Sequence, residues 1–307
     1  MAYDIVAIGN PVYDIIQTPN LVTDGRILSG CSTNALLAAR KLGTKRVGFV
    51  GSVGNDFKSR LKADLSSRGI TDVALKTAEQ TGGFKLVYDS KGNRTLEVLG
   101  VSGRISPEDI PPRFLESNYV LLGPILQEVD LELVKFISNS SDAKIFLDPQ
   151  GMLRKFDAEG KITHSCERDI MKHVLSLVHF VKPNEVESQV LTGETDPYRA
   201  ARMLVEWGAE IGIVTLAERG SIVYSEGQYL SIPAYPTVAV DPTGAGDTYA
   251  GSFLVEYGRT HSLVDSAVFA SATASIMVEN IGPDFPLDES NVRRRSVEIR
   301  PRVSSHR

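Results

Sequence analysis

Asp241-Pro242-Thr243-Gly244-Ala245-Gly246-Asp247-Thr248-Tyr249-Ala250-Gly251 joins an apolar run to a helical pattern through a turn of small residues flanked by two aspartates. The apolar residues 237–240 before it read as a short strand, and the pattern through Phe253 and Leu254 after it reads as a helix. A strand, a small-residue turn and a helix start leave free backbone N–H groups at the positive end of the helix, a site for an anion. Asp247 falls in the first turn of that helix, facing whatever is held there. Glycines also serve ordinary strand-to-helix connections, so the flanking aspartates are what favour a site over a mere turn.

Bulk properties narrow the setting. With 307 residues and 42% hydrophobic content, the chain is long enough for one large α/β domain with a substantial core. Lys plus Arg number 33 against 38 Asp plus Glu, a net charge of -5, so no global positive field points to nucleic acid or an anionic membrane. The run Arg293-Arg294-Arg295 is a local exception and reads as a solvated tail or a late helix face. Cys31 and Cys166 are far apart and in no metal-ligand spacing, so neither a disulfide framework nor a zinc site is expected. The N-terminus enters directly into an apolar strand, and no apolar run reaches membrane-spanning length. The expectation is a soluble cytoplasmic protein.

Along the chain, apolar strands alternate with amphipathic helices. Residues 5–8 form a buried strand pattern, followed by Asp14 and a polar stretch. Ser29-Gly30-Cys31-Ser32-Thr33-Asn34 then leads into a helix at 35–42, which Ser32 or Thr33 can cap. Asn34 on its first turn either helps the cap or faces a ligand. A strand at 46–50, Gly51-Ser52-Val53-Gly54-Asn55-Asp56 and a helix at 57–67 follow, and residues 69–72 close that unit.

Residues 81–99 change to period two, with Phe84, Leu86 and Tyr88 on one face and a turn at Ser90-Lys91-Gly92-Asn93. An antiparallel hairpin inside a parallel α/β chain is either a lid or an extension of the sheet edge, and residues 15–28 can contribute to the same insert. Strands at 119–122 and 144–147 flank a helix at 131–138. The second strand ends in Asp148-Pro149-Gln150-Gly151, where ligands of an open parallel sheet gather, with Arg154 just beyond. Residues 157–163 read as a surface excursion, and a helix at 168–177 follows. Behind the strand at 179–181, Asn184 and Glu187 have the spacing of a reciprocal helix cap, and the same geometry can aim a carboxylate at hydrated Mg²⁺. A helix at 200–207, strands at 212–216, 220–224 and 229–232, and helices at 246–257 and 263–278 complete the order.

The ordered motifs resemble those of the ribokinase-like, or PfkB, carbohydrate kinases across nearly the whole chain. Asp-Pro-Thr-Gly-Ala-Gly-Asp at 241–247 is similar to that family's D-x-x-G-A-G-D element, residues 51–56 to its G-x-V-G-x-D element, and residues 184–187 to its N-x-x-E element. Two positions depart: the family's Gly-Gly pair is Ser29-Gly30, and the glycine expected after Val214-Thr215-Leu216 is Ala217. The resemblance implies one three-layer α/β/α domain over 1–307 with a mostly parallel sheet and a small β lid from roughly 15–28 and 81–99.

It further implies ATP-dependent phosphorylation of an alcohol. The N–H groups of Gly244, Ala245 and Gly246 would stabilise the transferred phosphoryl group, with Asp247 orienting and finally deprotonating the hydroxyl. An aspartate is a weak base toward an alcohol, so proton transfer comes late and positioning dominates. By the same resemblance Asn184, Thr215, Gly220 and Thr243 would border the nucleotide, Asn184 and Glu187 would organise Mg²⁺ through water, and Asp14, Gly30 and Asn34 would bind acceptor hydroxyls. Asp148-Pro149-Gln150-Gly151-Met152-Leu153-Arg154 is similar to the D-x-Q-x-x-x-R stretch of the inositol kinases, which points through Gln150 and Arg154 to myo-inositol or a related carbohydrate. A carboxamide suits the ribose of a nucleoside as well, so a nucleoside kinase is the alternative, and a ligand-binding regulator without catalysis is the reading from another class. The resemblance also allows a homodimer through the lid and a monovalent cation such as K⁺ beside the turn.

Overall fold

The computed structural model describes residues 2–19, 21–89, 94–157 and 159–307. In chain order the first part comprises β1 (Tyr3–Ile8), β2 (Val12–Thr18), β3 (Leu21–Val22), β4 (Ile27–Ser29), α1 (Cys31–Lys41), β5 (Val47–Gly54), α2 (Lys58–Ser67), β6 (Asp72–Ala78), β7 (Gly83–Tyr88) and β8 (Arg94–Gly100). The middle comprises β9 (Ser117–Leu122), α3 (Leu131–Ser140), β10 (Lys144–Leu147), α4 (Gln150–Leu153), β11 (Arg154–Phe156), β12 (Ile162–His164), α5 (Arg168–Leu175), β13 (Phe180–Val181), α6 (Glu185–Thr192) and α7 (Pro197–Glu206). The last part comprises β14 (Ile211–Thr215), β15 (Ser221–Ser225), β16 (Gln228–Ile232), α8 (Ala245–Thr260), α9 (Leu263–Met277), α10 (Glu289–Ile299) and β17 (Ser304–His306).

The main sheet has ten strands in the order β17-β16-β15-β14-β13-β10-β9-β1-β5-β6. From β14 to β6 every pairing is parallel, and β15, β16 and β17 are added antiparallel at one edge. Strand periodicity divides the core into two layers. Ile5 and Ala7 of β1, Leu121 of β9, Phe146 of β10 and Phe180 of β13 pack with α1, α2, α8, α9 and α10. Their neighbours Val6, Ile8, Val120, Leu122, Ile145, Leu147 and Val181 pack with α3, α5, α6 and α7. Helices therefore cover both faces, which is why these strands read as continuous apolar runs. This is the three-layer, mostly parallel α/β architecture of the sequence reading.

A second sheet runs β3-β2-β7-β8, with β4 also paired to β2. Phe84, Leu86 and Tyr88, the period-two face, are buried with Val12 and Ile16 against Cys31, Ile125 and Leu126 of the main body. The turn at 90–93 lies outside the described residues.

Several local expectations are corrected or refined. Residues 237–240 form no strand: Val238 is 82% exposed, the Val240 N–H donates to the Val278 carbonyl at the end of α9 at 2.7 Å, and the segment pairs with no strand among the described residues. Neither Ser32 nor Thr33 caps α1; the helix begins at Cys31 behind Gly30, and the Ser32 hydroxyl donates to the Ile8 carbonyl at 2.7 Å instead. Residues after Thr71 continue as β6, parallel to β5. The excursion at 157–163 is bracketed by the β11–β12 hairpin. The arginine run is a helix face on α10: Arg295 is nearly buried and pairs with Glu279 at 2.9 Å, while Arg293 pairs with the buried Glu256.

Candidate active site

The turn before α8 is built around Gly244, the helix N-cap, at φ 85°. The positive φ is the left-handed conformation that favours glycine, and a Cβ there would stand 2.9 Å from Asn34 Nδ2, displacing the carboxamide that bonds Asp247. The fully buried Asp241 ties the turn together, its Oδ1 accepting from Thr243 N–H at 2.9 Å. The Ala245 N–H donates to the Pro242 carbonyl at 3.2 Å, whereas the N–H groups of Gly244 and Gly246 meet no acceptor among the described residues. Of the three amides named from sequence, two are uncommitted.

Asp247 follows on the first turn of α8, 9% exposed. Asn34 Nδ2 donates to its Oδ2 at 3.0 Å and Gln150 Nε2 to its Oδ1 at 3.2 Å, so both carboxylate oxygens are held by carboxamides from other elements. Gln150 is itself oriented: an Arg154 guanidinium nitrogen donates to its Oε1 at 2.6 Å, which turns the NH₂ end toward Asp247. Arg154 is anchored by a bond to the Ile125 carbonyl at 3.2 Å.

Beneath the turn, Lys182 Nζ and Asp148 Oδ2 are 2.8 Å apart at the carboxyl ends of adjacent strands β13 and β10, both fully buried. Burial alone would lower the lysine's pKa, but the charges of Asp148 and Glu187 outweigh it and raise it, so Lys182 is an ammonium. Its Nζ lies 3.2 Å from where a Gly246 Cβ would be, which puts a fixed positive charge next to the open amides. Lys182 was not singled out in the sequence. The signal was available, a lysine immediately after the buried strand pair Phe180-Val181 and before Pro183.

At the nucleotide end, Asn184 and Glu187 form the reciprocal cap of α6, each side chain accepting from the other's N–H at 2.9 Å. The second oxygen of Glu187 takes no bond among the described residues. Burial, then the charge of Asp148, pushes the Glu187 carboxyl up, partly offset by Lys182. A hard cation would relieve that crowding of carboxylates, and an oxygen-only donor set suits Mg²⁺, so the residues fit such an ion. Thr215 is bridged to Asn184 in the sheet direction, and its N–H donates to the Pro183 carbonyl at 3.1 Å. Gly220 has φ 94° and closes a turn too tight for any side chain. Ala217, the position departing from the family pattern, is itself left-handed at φ 51°.

These groups line one cleft of about 700 Å³, which contains Asp148, Gln150, Arg154, Lys182, Asn184, Glu187, Thr215, Gly220 and residues 242–247. Phe84, Leu86, Tyr88 and Leu96 of the second sheet line the same cleft. Asp14, Gly30 and Asn34 stand outside that lining, and Asn34 reaches it through Asp247. The buried Asp14 Oδ1 accepts the Phe84 N–H at 2.7 Å, joining β2 to β7. Burial pushes its carboxyl up to about 6, partly offset by the Phe84 N–H, Ser29 and the Arg26 and Arg154 charges. Gly30, at φ 112°, passes too close to the Asn10 carbonyl for a side chain.

A family model described as pfkB family carbohydrate kinase matches residues 4–290. The chain belongs to this family. The kinase is 31% identical to a cytidine kinase of Thermococcus kodakarensis over 267 residues, covering 85% of this chain and 90% of that one. It is 30% identical to a deoxyribokinase of Salmonella typhi over 294 residues, covering 88% and 91%. Among solved structures, a pyrophosphate-dependent kinase in the ribokinase family, complexed with a pyrophosphate analog and myo-inositol, superposes with a TM-score of 0.80 at 20% identity. It covers 94% of this chain and 99% of its own, and at that identity the likeness carries the fold alone. The kinase is thus a phosphotransferase with an alcohol acceptor on a ribokinase-like fold, of the sugar and nucleoside class. Among the described residues, no helix is long and apolar enough to cross a membrane.

Proposed function

We propose that this kinase transfers the γ-phosphoryl group of ATP to a hydroxyl of a nucleoside. The observation that carries the phosphoryl-transfer chemistry is the doubly held Asp247 carboxylate beside the uncommitted amides of Gly244 and Gly246. Asp247 takes the acceptor hydroxyl as a hydrogen-bond donor and fixes its lone pair toward phosphorus. As the acceptor O–P bond forms and the bond to the bridging oxygen breaks, the hydroxyl proton passes to Asp247 and the electron pair leaves on the nucleoside diphosphate. The Gly244 and Gly246 amides and the Lys182 ammonium face the charge that develops on the transferred group. Mg²⁺, when bound, neutralises donor phosphate charge; Glu187, through its open oxygen and with Asn184 beside it, would hold it through water. The β2–β4 and β7–β8 sheet acts as a lid that excludes water from the transfer.

The nucleoside acceptor is supported by the apolar wall that Phe84, Leu86, Tyr88 and Leu96 give the cleft, since a base has an apolar face to bury and a small polyol does not. The similarity to a cytidine kinase along most of both chains supports the same class. Myo-inositol is the second reading, favoured by the Arg154-oriented carboxamide of Gln150. A phosphorylation panel of cytidine, adenosine, ribose, fructose and myo-inositol, with ATP or pyrophosphate as donor and Mg²⁺ present, tests both. Turnover highest with a nucleoside and ATP is expected. Turnover with myo-inositol alone overturns the acceptor, and none with any pair overturns the kinase reading.

A further inference from the structure

The Tyr88 hydroxyl of β7 lies 2.8 Å from Thr243 Oγ1, in the turn before α8. The two residues are 155 positions apart, Tyr88 in the second sheet and Thr243 in the turn before α8, and are both nearly buried, at 8% and 9% exposure. Thr243 is fixed from its other side by the bond from its N–H to Asp241 Oδ1 at 2.9 Å. Both Tyr88 and Thr243 line the cleft that holds Gly244, Gly246 and Asp247. A hydroxyl pair permits two arrangements. If Thr243 donates, its hydrogen points away from the turn and its oxygen lone pairs face any arriving anion. If Tyr88 donates, the Thr243 hydrogen is released toward the cleft, beside the open amides. A phenol is the better donor of the two, and an anion in the turn selects the second arrangement electrostatically.

We propose that Tyr88 is a positioning residue for phosphoryl transfer: it donates to Thr243 Oγ1 and thereby aims the Thr243 O–H at the transferred group, making the turn complete only when the second sheet is seated. The inference rests on the kinase reading above. It assigns Tyr88 two separable parts, an aromatic ring that contributes to the acceptor wall and a hydroxyl that acts on the turn. Hydrogen bonds that strengthen as charge develops belong in kcat, whereas loss of wall area belongs in acceptor KM.

The test uses the full chain and whichever acceptor of the panel the wild type phosphorylates, so a wild type without turnover contradicts the kinase reading, while wild-type behaviour of Tyr88→Phe contradicts only this inference. Tyr88→Phe is expected to lower kcat about tenfold with acceptor KM within about twofold. Thr243→Val should lower kcat at least as far, Thr243→Ser should retain most of it, and Tyr88→Phe added to Thr243→Val should cost nothing further. A kcat unchanged in Tyr88→Phe, a loss confined to acceptor KM, or multiplicative losses in the double variant overturns the proposal. If Tyr88→Phe does not fold by its thermal melt, Thr243→Val and Thr243→Ser decide: equal kcat in the two overturns it.

Discussion

Lys182 Nζ lies 2.8 Å from Asp148 Oδ2, and neither side chain is more than 3% exposed. Such a pair is a weak source of net stability, because desolvating two ions offsets most of their attraction, but breaking it strands a charge. Lys182→Met is expected to lower unfolding free energy by about 3–5 kcal/mol. Asp148→Asn combined with Lys182→Met should cost clearly less than the two single losses added together. Urea midpoints of the three variants check this, and additive losses would mean the pair is not coupled.

The Asp14 carboxyl is raised by burial to about 6. An ordinary aspartate titrates near 3.9, so between pH 4 and 6 the folded state binds the proton that the unfolded chain has released. The sign is the reverse of a salt-bridged aspartate: its contribution favours the fold below pH 4 and is lost as pH rises through about 6. Asp14→Asn keeps an oxygen for the Phe84 N–H and removes the titration. Relative to wild type it should gain on the order of 2–3 kcal/mol between pH 4 and pH 7. Denaturation curves across that range measure it, and parallel pH profiles for the two proteins would contradict the assignment.

Ala217 holds φ 51°, at the position where the family pattern has glycine. A left-handed alanine costs about 1–2 kcal/mol, part of which glycine returns as unfolded-state entropy. Ala217→Gly should therefore stabilise the kinase by about 0.5–1 kcal/mol. A thermal melt that moves upward supports this, and one that moves downward shows that the alanine methyl makes contacts worth more than the strain.

The sequence made the core legible because each parallel strand is buried on both sides and reads as an apolar run. Phe84, Leu86 and Tyr88 were legible because their sheet is buried on one side and alternates. The Asn184–Glu187 cap and the turn at 241–247 were legible because their bonds are local. Residues 237–240 misled because valines are apolar whether or not a neighbouring strand exists to pair with them, and Val238 pairs with none among the described residues. The Lys182–Asp148 pair depends on β10 lying next to β13, and the Asn34–Asp247 bond spans 213 positions, so neither follows from spacing along the chain. Tyr88 was visible as an apolar face residue and Thr243 as part of the turn, while the hydroxyl bond that joins them was not.

In the proposed mechanism Asp247, held by Asn34 and Gln150, receives the acceptor proton. Asp247→Asn, with turnover measured on the preferred acceptor and nucleotide binding measured calorimetrically on the same preparation, tests that role. A general base of this kind contributes roughly 10²–10⁴-fold, so kcat should fall by about three orders of magnitude while ATP affinity stays within a few-fold. Turnover within tenfold of wild type, at unchanged affinity, would contradict the account.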